Sequence, residues 1–543
     1  MTQTVAVIGG GIAGLSAAAL LARDGYQVTV FERQDAVGGR AGTWQADGFR
    51  FDTGPSWYLM PEVFDHFYRL LGSSSAEQLV LERLDPGYRV VFEPKDGEPA
   101  EQFDVRESRE ANVALFEQIE PGAGAALEAY LDSAKDVYEL AKRHFLYTNF
   151  QRLRAFLSSD VLRRAARFIS LLREPLSGFA ARTVRDPKLR QVLGYPAVFL
   201  GSSPDLTPAM YHLMSYLDLE DGVLYPQGGF GSVIESIRAL AVSEGVTIIT
   251  GADVTEIVST EAVDGSDWLA KADGIRYRKA DLTQTFRADL VVSAADLHFT
   301  ETRLLPTRLQ SYPERYWDRR VPGPSAVLLY LGVRGEVPEL LHHTLLFSED
   351  WQQNFGDIFG AQTRVPDPAS IYVCRPSATD PSVAPAGDTN LFVLVPVPAD
   401  PTIGRGGLDG AGDAQVEAVA DRVIAQIAQW AGVPDLAERI VLRRTVGPAD
   451  FVDELNAWRG TALGPAHTLR QSAFFRARNV SSKVEGLYYV GGSTIPGIGL
   501  PMCLISAEVL LKRLRGDTSS GPLPTPLRSS QLAPELRPSD GTA

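Results

Sequence analysis

The chain has 543 residues, which is more than one hydrophobic core usually supports, so two or more structural units are expected. Hydrophobic residues make up 45% and charged residues 22%, close to the globular average, which excludes disorder for the bulk of the chain. The formal net charge of −15 argues against nucleic acid as the main partner. Two cysteines are too few for a disulfide framework or a cysteine metal site and fit a reducing cytoplasm.

The first predicted elements form a βαβ unit. Apolar residues at 5–8 and 27–31 predict two buried strands, and small residues at 15–23 predict the helix between them. The uncharged stretch from Val5 to Ala22 is nearly long enough for a membrane helix. Its glycines interrupt it where a strand turns into a helix, and no basic segment precedes it, so we expect neither a membrane helix nor a signal peptide.

Similar α/β elements recur much later in the chain. Helices are predicted from the glycine turn at 228–231 through Leu240 and at about 501–515, and strands at 246–249, 254–258, 290–292 and 487–490. The stretches between them are richer in aromatic residues and prolines. The sequence therefore predicts one α/β domain assembled from distant segments, with a second domain inserted between its parts.

The turn after the first strand carries a dinucleotide-binding pattern, which occupies Gly9, Gly11, Ile12, Ala13 and Gly14. The first glycine permits the tight turn, the second lets the backbone approach a diphosphate, and the third allows close packing of helix on strand. The helix N-terminus faces the diphosphate charge. Glu32 lies 18 residues after Gly14, where a carboxylate accepts hydrogen bonds from a ribose. An ordinary glycine-rich turn is the alternative.

A second glycine pair decides between NAD and FAD. Gly38, Gly39 and Arg40 lie just past the acidic residue, where an arginine can reach back to the diphosphate. We also assign Arg33 to the cofactor. The order of these motifs resembles the amine-oxidase-like flavoprotein superfamily, and this resemblance implies FAD. A solvated surface arginine is the alternative reading of Arg40.

Two further segments narrow the resemblance. Residues 51–56 and 489–501 look like those of the bacterial-type phytoene desaturases, with more matches at 224–229, 342–344, 379–385 and 471–476. The resemblance spans roughly residues 4 to 515. It implies flavin-ring contacts from Gly54, Pro55 and Ser56, and a segment beside the ring and ribityl chain that contributes Gly492, Ser493, Pro501 and Met502.

The C-terminal loop also has a physical rationale. Glycine and proline fix an unusual backbone path, and the N-terminus of the following helix stabilises a reduced, anionic ring. Related flavoproteins commonly have aspartate where this chain has Ser493, which favours the desaturase branch. A loop that only caps the last helix is the alternative. The superfamily resemblance further implies adenosine contacts from Val254, Ala295 and Asp296, with ordinary strand-end packing as the alternative.

The resemblance implies an α/β fold class with a Rossmann-like FAD-binding domain built from the discontinuous residues 1–75, 222–300 and 455–516. An inserted α+β substrate domain would comprise residues 76–221 and 301–454, with a helical, membrane-facing part at about 125–220. Residues 517–543 are dense in serine, proline and glycine and predict a disordered tail.

The implied reaction is FAD-dependent desaturation of a carotenoid precursor, phytoene to lycopene or to a less desaturated product. Removing hydrogens from an unactivated chain requires a hydride acceptor, which a flavin supplies and side chains cannot. Oxygen or a membrane quinone would reoxidise the flavin. A later-acting carotenoid desaturase or oxygenase, an isomerase and a flavin amine oxidase are the alternatives. No catalytic residue is assigned, because Asp52 and His212 have structural interpretations as a turn carboxylate and a buried, hydrogen-bonded histidine.

One segment reverses the acidic character of the chain. From Lys142 to Arg182 there are nine basic residues against two acidic ones, and apolar residues recur at helical spacing. The pattern predicts peripheral attachment to the cytoplasmic membrane surface, which suits a long apolar polyene as substrate. A buried helix with a solvated basic face is the alternative.

Overall fold

The computed structural model describes residues 2–95, 98–151, 161, 163–263 and 265–528. Within these residues, a five-stranded parallel sheet has the strand order Leu487–Tyr489, Leu290–Ser293, Thr4–Ile8, Gln27–Phe31 and Thr247–Ile249. In the register of the central strands, Val7 pairs with Val30 on one side and with Val292 on the other. Strands that are apolar along their whole length, as these are, occur in sheets covered on both faces.

Helices pack on one face of this parallel sheet. Three of them share one hydrophobic core on the parallel sheet: Ile12–Arg23, Phe230–Ser243 and Leu500–Leu514. The other α-helices are Pro61–Leu70, Ser75–Gln78, Arg109–Ile119, Ala123–Ala141, Ala165–Arg173, Leu176–Thr183, Pro187–Gly194, Met214–Tyr216, Leu297–Arg303, Glu314–Trp317, Trp351–Phe359, Ala414–Trp430, Leu436–Arg439 and Pro448–Leu455. Two turns of π-helix lie at Lys142–Leu146 and Leu217–Asp221.

A larger mixed sheet forms the second layer. In the described residues its seven strands have the order Ile440–Val446, Ser325–Val333, Thr389–Val397, Ile371–Cys374, His343–Phe347, Tyr88–Phe92 and Gln102–Val105. Alternate residues of Ser325–Val333 point to opposite faces. Val327 and Leu329 pack on the helix Ala414–Trp430, whereas Leu328 packs toward Phe51. This second face is therefore turned toward the segment that contains residues 51–56.

Smaller sheets complete the described part of the chain. The strands Ala252–Glu261, Ala270–Lys279 and Leu282–Arg287 form an antiparallel meander, and Val484–Glu485 pairs with the middle strand. Two-stranded ribbons pair Thr43–Ala46 with Phe49–Asp52 and Leu81–Arg83 with Leu224–Pro226. Among the described residues, no helix is both long and apolar enough to span a bilayer.

The structure confirms the predicted α/β fold class. The predicted strands and the three glycine-initiated helices form within a few residues of their expected bounds. The parallel sheet joins strands from residues 4–31, 247–293 and 487–489, which supports a discontinuous FAD-binding domain. The domain boundaries stay a prediction.

The beginning of the predicted tail departs from expectation. Residues 517–528 pack against the last helix, and Leu523 and Leu527 are buried. Lys512, itself buried, donates hydrogen bonds to the carbonyl oxygens of Ser519 and Gly521 at 2.7 Å each. The prediction of disorder is therefore wrong for residues 517–528, because composition does not reveal the buried ammonium that binds this backbone. Residues 529–543 lie outside the described residues.

Candidate functional site

The glycine loop lies at the C-terminal end of the first strand, and its packing leaves no room for a side chain at Gly14. A Cβ at Gly14 would lie 2.0 Å from the carbonyl oxygen of Gly9. Gly11 is the N-cap of the helix Ile12–Arg23, and no side chain caps that helix. The first-turn N–H groups are therefore available to an anionic ligand, as a diphosphate requires.

Glu32 holds this loop from below. Its carboxylate is buried and accepts hydrogen bonds from Gly10 N at 2.7 Å and from Gln34 N at 2.8 Å. A carboxylate has further lone pairs, so it can still accept from a ribose hydroxyl. Ala252 N donates to the backbone oxygen of Glu32 at 2.8 Å, which brings the strand containing Val254 beside the same residue. The ribose and adenosine assignments thus fall next to each other.

The Gly-Gly-Arg segment lies directly against the glycine loop. Gly38 N donates to Gly10 O at 2.9 Å, and a Cβ at Gly39 would lie 3.3 Å from Gly11 Cα. Arg40 donates from Nε to the carbonyl oxygen of Ala462 at 2.8 Å, which fixes its position within this cleft. Its guanidinium is therefore not a freely solvated surface group.

Two predicted residues show structural contacts of their own. Arg33 donates from Nη2 to the carbonyl oxygens of Asp453 and Glu454, so its guanidinium lies at the C-terminal end of the helix Pro448–Leu455. Asp296 caps the helix Leu297–Arg303 by accepting from His298 N at 2.9 Å. Its neighbour Ala295 lies under the glycine loop, because a Cβ at Gly9 would come within 3.3 Å of Ala295 N.

The segment Gly54 to Ser56 packs on Arg40 and reaches toward the large sheet. A Cβ at Gly54 would lie 2.4 Å from the carbonyl oxygen of Arg40, so this position has no space for a side chain. Pro55 follows in a half-buried position. Ser56 Oγ is 2.6 Å from the hydroxyl of Tyr372 on the large sheet. The segment thus bridges the cofactor loop and the face of the second sheet.

The C-terminal loop is anchored by a buried arginine. Arg476 donates to the carbonyl oxygen of Gly492 from Nε at 3.0 Å and from Nη2 at 2.6 Å. Burial lowers the pKa of Arg476 to about 10, which still leaves it charged at neutral pH. Ser493 follows Gly492 and lies beside Gly464.

The last helix, Leu500–Leu514, begins after Gly499 with no side-chain cap. Pro501 occupies its first turn, where a missing N–H costs nothing, and Met502 packs against the core. Like the helix after the glycine loop, it presents unpaired N–H groups at its start. The two helices share one core, so both predicted groups of flavin contacts belong to one packed unit.

An aromatic wall lines the sheet face next to Ser56. Trp57 is at its centre. The distance from the centroid of its ring to that of a neighbouring ring is 5.2 Å for Tyr88, 6.0 Å for Tyr195, 5.2 Å for Phe199 and 6.1 Å for Tyr372. Its ring also stacks on His343 at 4.5 Å with an interplanar angle of 10°. Burial lowers the pKa of His343 well below its usual range, so the imidazole is neutral. The wall is therefore apolar and uncharged at this point.

Asp52 and His212, which the sequence analysis interpreted as structural residues, both make structural hydrogen bonds. The Asp52 carboxylate accepts from Phe230 N at 2.7 Å and Gly231 N at 3.1 Å, and thereby caps the helix Phe230–Ser243. Burial raises the pKa of Asp52 to about 6. His212 bonds Ala209 O at 2.8 Å and the Ser133 hydroxyl at 2.7 Å, and burial lowers its pKa to about 4.

Sequence reasoning missed Arg476, Trp57, Tyr372 and His343. Arg476 and His343 lie within motifs that carried the resemblance, so a signal for their importance was present without a role. Trp57 and Tyr372 had no motif, because only the folded sheet brings residue 372 next to residue 56.

The donor set fits FAD. Two uncapped helix N-termini, a side-chain-free glycine cradle, a buried carboxylate and a glycine-lined loop lie in one packed unit. Such an arrangement supplies N–H donors for a diphosphate, an acceptor for a ribose and a flat approach for a ring.

Comparisons with known proteins agree with this geometry. The chain matches the family described as flavin containing amine oxidoreductase over residues 12–508. Its relatives include the carotenoid 3,4-desaturase of Haloarcula japonica, which is 43% identical over 93% of this chain and 97% of the relative. The zeta-carotene-forming phytoene desaturase of Myxococcus xanthus is 35% identical over 94% of each chain.

A solved oxidoreductase from Methanosarcina mazei has a TM-score of 0.56 at 17% identity, covers 94% of this chain and 100% of its own, and shows the fold alone. The chain therefore belongs to the flavin-containing amine oxidoreductase family, alongside its carotenoid desaturases, and its cofactor is FAD.

Proposed function

We propose that this protein uses FAD to desaturate a carotenoid. The observation that carries the proposal is the uncharged aromatic wall around Trp57, directly after the segment assigned to the flavin ring. Aromatic faces suit a flat, apolar polyene and offer little to a small charged amine. The curated relatives that act on carotenoids support the same substrate class.

The chain's own residues bind and orient in this mechanism. When bound, FAD supplies the hydride acceptor that the reaction needs. The glycine loop and Glu32 hold the diphosphate and ribose, while Gly54 and Gly492 let the backbone pass close to the ring. The aromatic wall holds the polyene beside that ring and excludes water from it.

The relatives bear on which carotenoid is used. The relative that shares 43% identity is named a 3,4-desaturase, whereas the phytoene desaturase shares 35%. We therefore favour a partly desaturated carotenoid, with phytoene as the second candidate. A flavin amine oxidase is the remaining alternative.

Anaerobic mixing tests these candidates. FAD-loaded protein is mixed in detergent with phytoene, with a lycopene-type carotenoid, or with a diamine. We expect a carotenoid to bleach the flavin absorbance and to yield a product with a longer chromophore by chromatography. Bleaching by the diamine alone, or by none of the three, would overturn carotenoid desaturation.

We further propose attachment to the surface of the cytoplasmic membrane, with oxygen or a membrane quinone as electron acceptor. The basic segment from Lys142 to Arg182, called the basic helix below, gives the membrane attachment only partial support. Phe168 and Leu171 of Ala165–Arg173 are buried, and Arg164 and Arg167 pair with Asp136 at 3.0 and 3.2 Å. Much of this basic charge is thus balanced within the protein. The predicted residues 152–160 lie outside the described residues.

A second surface offers stronger support for membrane contact. Phe474 and Phe475 are neighbours with 47% and 48% exposure, and Leu469 is also exposed. Exposed arginines at positions 470 and 478 flank them. Adjacent exposed aromatic and basic side chains are typical of surfaces that enter the lipid headgroup region.

A further inference from the structure

A hydrogen-bonded chain of three side chains runs from the flavin segment into the large sheet. Ser56 Oγ lies 2.6 Å from the Tyr372 hydroxyl, which lies 2.8 Å from His343 Nδ1. His343 is directly opposite Cys374 on the neighbouring antiparallel strand, and Tyr372 is two residues from Cys374. Residues with this spacing share one face of a sheet, here the face of the aromatic wall.

This hydrogen-bonded chain of side chains has one accessible end and one enclosed end. Ser56 and Tyr372 are half-buried, whereas His343 is fully buried beneath Trp57. Ser56 follows Gly54 and Pro55, the residues assigned to the flavin ring. A substrate held between that ring and the wall would therefore meet the Ser56 hydroxyl first.

The direction of these hydrogen bonds depends on the tautomer of His343. Its Nε2 is buried with no hydrogen-bond partner, and its ring lies 4.6 Å from His342 in an edge arrangement of 74°. A neutral imidazole carries its proton on either Nδ1 or Nε2, and a relay through Tyr372 requires the form with the proton on Nε2. In that form Nδ1 accepts a hydrogen bond from the Tyr372 hydroxyl. Tyr372 in turn accepts from Ser56, which leaves a Ser56 lone pair facing outward.

We propose that Ser56, Tyr372 and His343 form the proton-accepting relay of the desaturation, a role that rests on the proposed function. Loss of a hydride to FAD leaves a carbon cation in the substrate, and the adjacent carbon must then lose a proton. As that C–H bond breaks, its electron pair becomes the new double bond and the proton goes to Ser56 Oγ. The Ser56 proton moves to Tyr372, and the Tyr372 proton moves to His343 Nδ1.

A weak base is sufficient for this step. A C–H bond next to a carbon cation is strongly acidic, so even an imidazole that burial keeps neutral can accept the proton in the end. After the product leaves, the proton would pass back through Tyr372 and Ser56 to solvent, because the charged imidazolium is costly in a low-dielectric site. Ser56 would be the catalytic residue, and Tyr372 and His343 would act through it.

Tyr372→Phe tests the relay while keeping the ring in the wall. Tyr330→Phe is the matched control, because Tyr330 is a buried tyrosine of the same sheet whose hydroxyl donates to Thr53 O at 3.1 Å. Tyr330 therefore anchors the same segment without belonging to the hydrogen-bonded chain of Ser56, Tyr372 and His343. We expect Tyr372→Phe to lower turnover on the order of 100-fold with an unchanged flavin spectrum, and Tyr330→Phe to change it by about a few fold at most.

Isotope effects separate a chemical role from a structural one. With substrate deuterated at the carbon that loses a proton, Tyr372→Phe and Ser56→Ala should show a larger isotope effect than wild type, since proton loss becomes limiting. Equal losses in Tyr330→Phe and Tyr372→Phe, or an unchanged isotope effect, would overturn the relay.

A second measurement does not depend on the substrate. Histidine-labelled protein contains seven histidines, so ¹⁵N spectra of wild type and His343→Gln identify the signals of His343. The relay requires a neutral ring with an unprotonated Nδ1, and a protonated Nδ1 would overturn it. The side chains of His342, His343 and Cys374 offer possible metal-ligand atoms within 4.8 Å of one another, so a stoichiometric metal ion found by elemental analysis and lost in Cys374→Ser would also overturn the relay. If wild type has the expected tautomer but no carotenoid reduces its flavin, the proposed function fails instead.

Discussion

The Arg476 guanidinium donates two hydrogen bonds to the carbonyl oxygen of Gly492, and a third from Nη1 to Gln471 O at 3.0 Å. This buried cation thus fixes the backbone of the loop assigned to the flavin ring. The loop itself has no charged residue to hold it, because residues 491–502 are glycine, serine, threonine, proline and apolar residues. Its shape depends on a residue that lies sixteen positions earlier.

Arg476→Met should weaken both the fold and the hold on FAD. Hydrogen bonds to charged groups contribute about 1.5–3 kcal/mol, and methionine would leave buried carbonyl oxygens unpaired. We expect the free energy of unfolding to fall by about 2 kcal/mol, measured in urea, and flavin to be lost during gel filtration. Arg476→Lys keeps the charge but not the paired donors and should lie between the two. Full flavin occupancy in Arg476→Met would contradict the anchoring role.

Glu32→Ala should reduce FAD retention with a smaller effect on the overall fold. The variant removes the acceptor of Gly10 N and the predicted ribose acceptor together. A loss of about 2 kcal/mol corresponds to a roughly 30-fold higher Kd for FAD, measured by flavin fluorescence. Glu32→Gln, which keeps one acceptor oxygen, is the control and should be affected less. A purified Glu32→Ala protein with full flavin at low free FAD would count against the assignment.

Asp218 should make stability depend on pH. Its carboxyl is buried, accepts from the Tyr88 hydroxyl at 3.0 Å, and has a second oxygen with no partner. Burial raises the pKa of Asp218 from 3.8 to about 7. Between these values the folded protein holds a proton that the unfolded chain has lost, so stability falls as pH rises from about 4 to about 7.

Asp218→Asn removes this titration. Urea unfolding at several pH values should show that the free energy of unfolding of wild type falls relative to Asp218→Asn across this window, by up to about 1.4 kcal/mol per pH unit. The difference should level off above pH 7, once both states are ionised. Parallel curves for the two proteins would show that Asp218 is ionised in the fold.

The local elements of the fold were predictable because each has a short-range cause. Apolar runs predicted the strands found at 4–8, 27–31 and 290–293, and glycine-containing turns predicted the helices found at 12–23, 230–243 and 500–514. The glycine loop and Glu32 were readable for the same reason, since their spacing follows from one βαβ unit.

The aromatic wall and the buried anchors were not predictable in this way. Ser56 and Tyr372 lie 316 positions apart, and nothing local in either segment indicates that their hydroxyls meet. Lys512 lies in the last turn of a helix, where lysines are usually exposed, yet it is buried and donates a hydrogen bond to the backbone of Ser519. Such contacts depend on how separate layers pack, which periodicity does not encode.

The membrane proposal leads to a prediction about two aromatic side chains. Phe474→Ser with Phe475→Ser should weaken binding to anionic liposomes, because each half-exposed phenylalanine that enters lipid contributes about 1 kcal/mol of apolar burial. Val263→Ser with Leu282→Ser is the matched control, since both residues are well exposed, Leu282 on the antiparallel meander and Val263 in the loop after its first strand. Sedimentation with liposomes measures the bound fraction.

Salt distinguishes this apolar contact from the basic helix. Replacing Arg163, Arg164 and Arg167 with Gln should reduce binding only at low salt, because attraction to a charged surface is screened beyond about 10 Å at 0.1 M ionic strength. The reduction should be modest, since Arg164 and Arg167 both pair with Asp136. The phenylalanine variant should stay weak at high salt as well, because apolar burial is not screened. If wild-type protein ignores anionic liposomes at low salt, both surfaces are ordinary protein surface and the polyene must reach the aromatic wall by another route.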